Sequence, residues 1–352
     1  MLFTAGDLAR MRFVVAPMWE VGPSLRLLRS GVPHAVHGPW VEQVRPRLAA
    51  LGPAYGLLAE LVPPTGYVPD FLNPAPTGPA PTLAGELAAI RATPAAQVRR
   101  DLDRLAADQA DRADRALRPY RPHRAHRANR AHHADQGGLG PRLRALHADP
   151  EAGLARLAEA VEAYWELALA PYWARIRAVL DADVLYRARQ AAEHGAERVL
   201  NDLHAELRWT DGALRLSHRS RPMPRRTAGP GLLLIPSAFT GPGLFTLLAP
   251  PAPPQLAYPA RGIGRLWTAE APAPGTAALA AVLGRSRALL LAELAAPAST
   301  TDLAHRTGLS PSAVSQYLTA LRDARLVSAH RAGRWVLYAR TATAEALLAP
   351  DG

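Results

Sequence analysis

Between Ser310 and Thr319 the chain reads Ser-Pro-Ser-Ala-Val-Ser-Gln-Tyr-Leu-Thr, with polar side chains at helical spacing. Projected around a helix, Val314, Leu318 and Leu321 share one narrow face, while Ser312, Ser315, Gln316 and Thr319 share the opposite one. Hydroxyls and a carboxamide on such a rod can hydrogen-bond base edges and phosphates in a DNA major groove, and glutamine suits adenine. The amides of the helix N-terminus, beginning at Ser310, offer a further contact to phosphate. Farther on, Arg331-Ala332-Gly333-Arg334 reads as the tip of a hairpin. Its two guanidiniums can reach the flanking backbone or a minor groove. Arg322 and Arg325 add charge whose contact with phosphate is salt-sensitive. The chemistry on offer is recognition.

These groups need elements to present them. Ser310 is a cap and Pro311 takes the first helical position, which makes a strong start signal. Ser299 or Thr300 caps the preceding helix, with Asp302 three residues after Ser299 as in a capping box, and Gly308 ends it. Leu279 to Leu294 is expected to form one helix with Leu283, Leu290 and Leu294 on one face. Leu326 to His330 and Trp335 to Ala339 form the two strands of a wing. Two short helices, a tight turn and a basic hairpin are the layout of a winged helix-turn-helix. A helical hairpin that docks a protein, its polar face merely solvated, is the competing reading. The cap-proline start, the polar outer face and the Arg-Gly turn at the right distance favour DNA.

The same residues resemble the ArsR/SmtB-type winged-helix repressors. Leu303-Ala304, Gly308-Leu309-Ser310 and Ser312 to Leu318 match that family's Leu-Ala, Gly-Leu-Ser and Ser-x-x-Val-Ser-x-His-Leu. Tyr317 stands where the family usually has His, and Arg325 where it usually has Gly before Leu-Val. The resemblance implies double-stranded DNA as partner, with Ser310, Ser312, Ser315, Gln316, Tyr317, Thr319, Arg322, Arg331 and Arg334 as the contact set. Operator symmetry and the resemblance together imply a homodimer. The family's thiol metal site has no counterpart, because the chain has no cysteine. Its C-terminal metal-binding and dimerising helix is expected to be missing or reduced to Ala344 to Leu348. Upstream, Pro69-Asp70-Phe71-Leu72, Tyr164-Trp165 with Trp173, Gly231 to Phe239 and Tyr258 to Gly262 are similar to the large N-terminal region of actinobacterial regulators with this C-terminal module. That similarity implies a transcription regulator and brings no ligand with it.

Composition sets the frame. At 352 residues there is room for a large and a small domain, each with a core. The formal charge of +11 favours a polyanionic partner, and all 41 basic residues are arginine. The charge is not concentrated in the C-terminal module, which holds eight arginines against five acids from Leu279 onward. Asp111 to Arg144 holds nine arginines against three aspartates, so net charge alone does not identify the DNA-binding part. With zero cysteines, disulfides, zinc fingers and thiol metal sensors are excluded. The start, MLFTAGDLAR, has an early acid and no long apolar run after a basic stretch, so it is not expected to be a signal peptide. Thr227 to Ala260 is free of charge, but Pro236, Gly241, Pro242 and Gly243 interrupt it, so buried strand plus loops is expected and not a membrane span. A cytoplasmic location is expected.

The fold class expected is α+β. Residues 1–270 form a mostly helical domain with a small antiparallel sheet, and residues 278–352 form the winged helix-turn-helix. Leu2 to Ala110 reads as mostly helical and broken by prolines. Arg118 to Gly140, with arginine at every third position and interleaved histidines, reads as a disordered insertion at about 118–140. A metal held by His123 and His126, or a loose grip on phosphate, are the other readings of it. Glu151 to Leu180 reads as a helix bent or broken at Pro171. Glu206 to Trp209 and Leu214 to Ser217 form a hairpin, while Leu232 to Pro236, Gln255 to Tyr258 and Gly264 to Trp267 read as strands.

Other candidates carry less. Gly241-Pro242-Gly243 lacks the third glycine of a dinucleotide site and reads as a turn. Ser237 has no nucleophile elbow around it. Tyr164, Trp165, Tyr172 and Trp173 read as core, and Arg261 as half of a structural ion pair. The resulting expectation is a repressor that is not an enzyme, with no cofactor and no metal. Its N-terminal domain serves dimerisation, response to a small-molecule effector, or both. An enzyme carrying a regulatory DNA-binding tail and a protein-docking adaptor are the alternatives.

Overall fold

The structure, a computed structural model, describes residues 5–78, 80–117, 138–210, 213–216, 231–267, 275–332 and 335–348. Most of the arginine- and histidine-rich stretch, with His123 and His126, lies outside the described residues. The architecture is α+β, largely helical with small sheets. Two compact units each gather separated stretches of chain. One holds Met1–Gly31, Pro53–Val161 and Leu200–Tyr258, and the other holds Val32–Gly52, Glu162–Val199 and Pro259–Gly352.

In the first unit, β1 (Arg12–Phe13) is a short strand inside a region that reads as helical in the sequence. Two residues carry no period of their own, so only a distant partner makes a strand of them. The expected hairpin is present as β2 (Leu207–Thr210) and β3 (Ala213–Leu216), which pair antiparallel. The charge-free run supplies β4 (Leu233–Ser237), β5 (Phe245–Leu247) and β6 (Gln255–Pro259). These three and β1 form a sheet in the order β1-β4-β6-β5. It is mixed: β1 runs parallel to β4, and β5 runs antiparallel to β6.

Every residue of β4 is buried, and the reason lies in strand geometry. Successive side chains point to opposite faces. Leu232 and Leu234 therefore join one apolar cluster with Leu256 and Tyr258, while Leu233 and Ile235 join another with Val14, Trp19 and Ala257. A sheet covered on both faces needs an apolar residue at each position, hence the unbroken Leu-Leu-Leu-Ile.

Two buried carboxyls knit this unit together. Glu20 Oε1 accepts the Ala238 N–H at 3.0 Å, and Oε2 accepts the Phe239 N–H at 3.2 Å and the Ser237 hydroxyl at 3.1 Å. Ser237 is thus the buried last residue of β4, its hydroxyl engaged by Glu20. Glu86 Oε2 accepts the Met18 N–H at 3.0 Å and so satisfies an end amide of helix Met18–Arg29, whose N-cap Pro17 has no side-chain donor or acceptor to offer. Gly241-Pro242-Gly243 is a turn, with Gly241 at φ 66°.

In the second unit, Trp40 Nε1–H donates to the Ala168 carbonyl at 2.9 Å and Trp267 Nε1–H to His37 Nδ1 at 2.8 Å. The expected break falls at Ala170–Tyr172, a single 3-10 turn between helices Pro150–Ala168 and Trp173–His194. Pro171 has no N–H to continue the ladder and its ring crowds the turn before it. Gly264 to Trp267, expected as strand, instead begins with the 3-10 turn Ile263–Arg265, because Gly262 turns the chain at φ 85°. The Arg261 side chain lies over the Tyr186 ring, 3.6 Å from its centroid, while its backbone N–H bonds Asp183.

Candidate nucleic-acid interface

The winged module is built around one apolar cluster. Leu290, Leu291 and Leu294, Leu303, then Val314, Leu318 and Leu321, close on Leu326, Val327, Ala344 and Leu348. The first helix is not the continuous Leu279 to Leu294 of the sequence reading. It is Gly275–Leu283 followed by Arg285–Glu293, because Gly284 turns left-handed at φ 84° and leaves the helical path. Helix Thr300–Thr307 carries both bonds of the capping box. The Asp302 N–H donates to Ser299 Oγ at 3.2 Å, and the Ser299 N–H donates to Asp302 Oδ2 at 3.1 Å. The Ser299 hydroxyl holds the Asp302 carboxyl below the usual carboxylate range. Gly308 closes this helix at φ 70°.

Helix Pro311–Asp323 then starts as its sequence dictates. The Ala313 N–H donates to Ser310 Oγ at 3.2 Å, and Pro311 sits in the first turn. Val314, Leu318 and Leu321 are buried, whereas Ser312, Ser315, Gln316, Thr319 and Arg322 are exposed. The polar strip is therefore outward and continuous. Ser310 Oγ and Ser312 Oγ lie 3.1 Å apart, and the Thr319 hydroxyl donates back to the Ser315 carbonyl at 3.0 Å. The Thr319 hydroxyl, which donates here, keeps its lone pairs for an outside donor. Among the described residues Gln316 makes no side-chain hydrogen bond, so its whole amide faces outward. Tyr317 differs from the rest of the set. It is half-buried against the cluster, with the Arg287 guanidinium 5.4 Å from its ring centroid.

The wing consists of β7 (Val327–Ala332) and β8 (Trp335–Arg340), antiparallel and in register from Val327↔Arg340 to Ala332↔Trp335. Arg331 is exposed on β7. Arg334, with Gly333, lies outside the described residues. Two positions escaped the sequence reading. His330 Nδ1 lies 3.0 Å from Glu166 Oε2 and its Nε2 lies 2.8 Å from Ser328 Oγ, anchoring β7 to the end of helix Pro150–Ala168. Arg340 donates to the Leu291 and Ala292 carbonyls, each at 2.6 Å, and so caps the C-terminus of helix Arg285–Glu293. Ala298 also bridges Tyr338 antiparallel, a third strand one residue long. No local pattern marks the contacts to Glu166, Leu291, Ala292 and Ala298, since these partners are distant in sequence.

Arg325 occupies a glycine conformation. At φ 57° it lets the Leu326 N–H reach the Leu321 carbonyl at 2.9 Å, which ends helix Pro311–Asp323 and aims β7. A residue with a Cβ in that region costs about 1 kcal/mol. Arg325→Gly is expected to stabilise the module by about that amount, read as a higher urea midpoint at unchanged slope. An unchanged or lower midpoint would contradict the geometry.

Among the described residues no helix is long and apolar enough to cross a membrane. Residues 4–264 match the family model "Family of unknown function (DUF5937)", and residues 285–329 match the model "Bacterial regulatory protein, arsR family". No curated protein and no solved structure matches the chain.

Proposed function

We propose that this chain, which belongs to the DUF5937 family and carries an arsR-type winged helix-turn-helix, is a repressor that binds one operator sequence as a homodimer. The observation behind this reading is the outward polar strip of helix Pro311–Asp323 above a sealed apolar face. Gln316, Ser312, Ser315 and Thr319 contact base edges, and Ser310 with the helix N-terminus takes a phosphate. Tyr317, Arg322, Arg331 and Arg334 grip the flanking backbone.

Residues 1–270 serve effector response, dimerisation or both, and residues 278–352 read the DNA. Exposed Val282 and Leu347, on the helices Gly275–Leu283 and Ala342–Leu348, are 81% and 47% accessible and support self-association through these helices. Repression follows when the bound dimer occludes a promoter in the cytoplasm. The chain acts by binding and catalyses no reaction.

Arg331→Ala tests the phosphate role. Binding to operator and to random DNA is expected to weaken by a similar factor, with the slope of log affinity against log salt falling by about 0.9 for each phosphate released from the protein. An unchanged salt slope would remove Arg331 from the interface.

A further inference from the structure

We propose that a cavity in the unit carrying the winged module is an effector site for a small organic anion with a planar apolar body, of the aromatic carboxylate class. The inference rests on the regulator reading for its consequence, though not for binding itself. The cavity holds about 400 Å³, within the range of small-molecule sites. Tyr172 and Trp267 line it, packed edge to face with centroids 5.5 Å apart. Such a wall suits a flat apolar ring.

The formal charge of the lining is positive. Three guanidiniums line the cavity, those of Arg175, Arg306 and Arg340, against the two carboxylates of Glu293 and Glu345. Backbone carbonyls hold all three of these cations in place, Arg306 through the Glu293 carbonyl at 3.5 Å. Arg340 donates to the Leu291 and Ala292 carbonyls, and Arg175 to the Ala295 carbonyl at 3.0 Å. Carbonyls fix a guanidinium without cancelling its charge, so the site is preorganised for a carboxylate. Arg340 also meets Glu345 at 3.4 Å, and Arg306, exposed on its helix, is assigned to the ligand carboxylate with Arg175 across the cavity. The Tyr172 hydroxyl donates to Gln43 Oε1 at 3.0 Å, which adds a polar group to the aromatic wall.

The site touches the reading head. Arg306 belongs to helix Thr300–Thr307, which feeds the recognition helix, and Arg340 ends β8. A carboxylate held between Arg306 and Arg175 ties that helix to Trp173–His194 and changes the freedom of the recognition helix. It shifts DNA affinity by as much as it prefers one arrangement over the other.

The test uses the full chain, with 2-naphthoate as probe and neutral 2-naphthamide as its isostere, followed by calorimetry and tryptophan fluorescence. Saturable naphthoate binding is expected, roughly tenfold weaker for the amide and for the exposed-residue variant Arg306→Gln, as befits loss of one charged hydrogen bond. Naphthoate should also change the affinity of the chain for DNA selected from a random pool. Equal binding of acid and amide, binding untouched by Arg306→Gln, or no saturable binding would overturn the site, and the amide comparison needs no variant to fold. Binding without any change in DNA affinity would overturn the coupling. If the chain selects no DNA at all, the regulator reading fails while the naphthoate titration still decides the site.

Discussion

A Leu318→Ala chain is expected to lose about 2–5 kcal/mol from its winged module and, with it, measurable preference for any DNA site. Leu318 is fully buried between Leu303, Val314 and Leu321, on the face of the helix opposite to Gln316. Removing three carbons there forfeits transfer energy and leaves a hole in the only apolar face that holds the rod in place. A module of this size has little stability to spare. Thr319→Ala, one position away and exposed, should change stability by no more than about 0.5 kcal/mol. Urea unfolding followed by circular dichroism compares the two. Similar midpoints for both variants would mean that the helix is not seated as described.

The second large effect concerns the buried carboxyls of the first unit. Burial pushes the Glu20 carboxyl up to about 7 despite the three donors that face it, and pushes Glu86 up to about 8. Burial, then the nearby Asp70 charge, raises Asp101 to about 6. In the unfolded chain these groups ionise near their ordinary values, so above pH 4.5 the unfolded state sheds protons that the folded state keeps. Stability from Glu20 is therefore complete below about pH 4.5 and is lost as pH rises to about 7, and that from Glu86 is lost up to about pH 8. Urea midpoints are expected to fall from pH 5 to pH 8. Glu20→Gln, which keeps an acceptor for the Ser237 and Phe239 donors, should flatten the part of that fall below pH 7. Glu20→Ala removes the acceptor and should cost roughly 2–4 kcal/mol at pH 5, from the buried donors left behind. Midpoints that rise with pH through this window would contradict the burial of these groups.

Local chemistry was legible in the sequence, and distant pairing was not. The Ser299–Asp302 box, the Ser310-Pro311 start and the Gly308 stop act within a few residues, and each stands in the structure as read. The polar strip followed from helical periodicity alone. By contrast, the helix from Leu279 to Leu294 looked continuous because one glycine in an apolar run is a weak signal, yet Gly284 takes a left-handed turn there. The strand at Arg12–Phe13 exists only because β4 lies beside it, 221 residues on at Arg12↔Leu233. Glu20 gave no warning either, as an acid inside an amphipathic helix is ordinarily solvated. His330 and Arg340 carried no signal in the sequence, because their partners Glu166 and the Leu291 carbonyl lie far away along the chain. In the contact set itself, Tyr317 is the residue whose placement differs most from its neighbours, being half-buried under Arg287.

The most direct measurement is selection of bound fragments from a random DNA pool, run in parallel with the wild-type chain and with the Ser312→Ala/Gln316→Ala double variant. The wild type is expected to enrich one motif with two related half-sites. The double variant should fold with the same melting curve and bind random DNA equally well. It should discriminate that motif less well, by about 1–3 kcal/mol for each base no longer read. Enrichment of the same motif to the same degree by both chains, or no enrichment by the wild type, would contradict the assignment of this helix face to DNA.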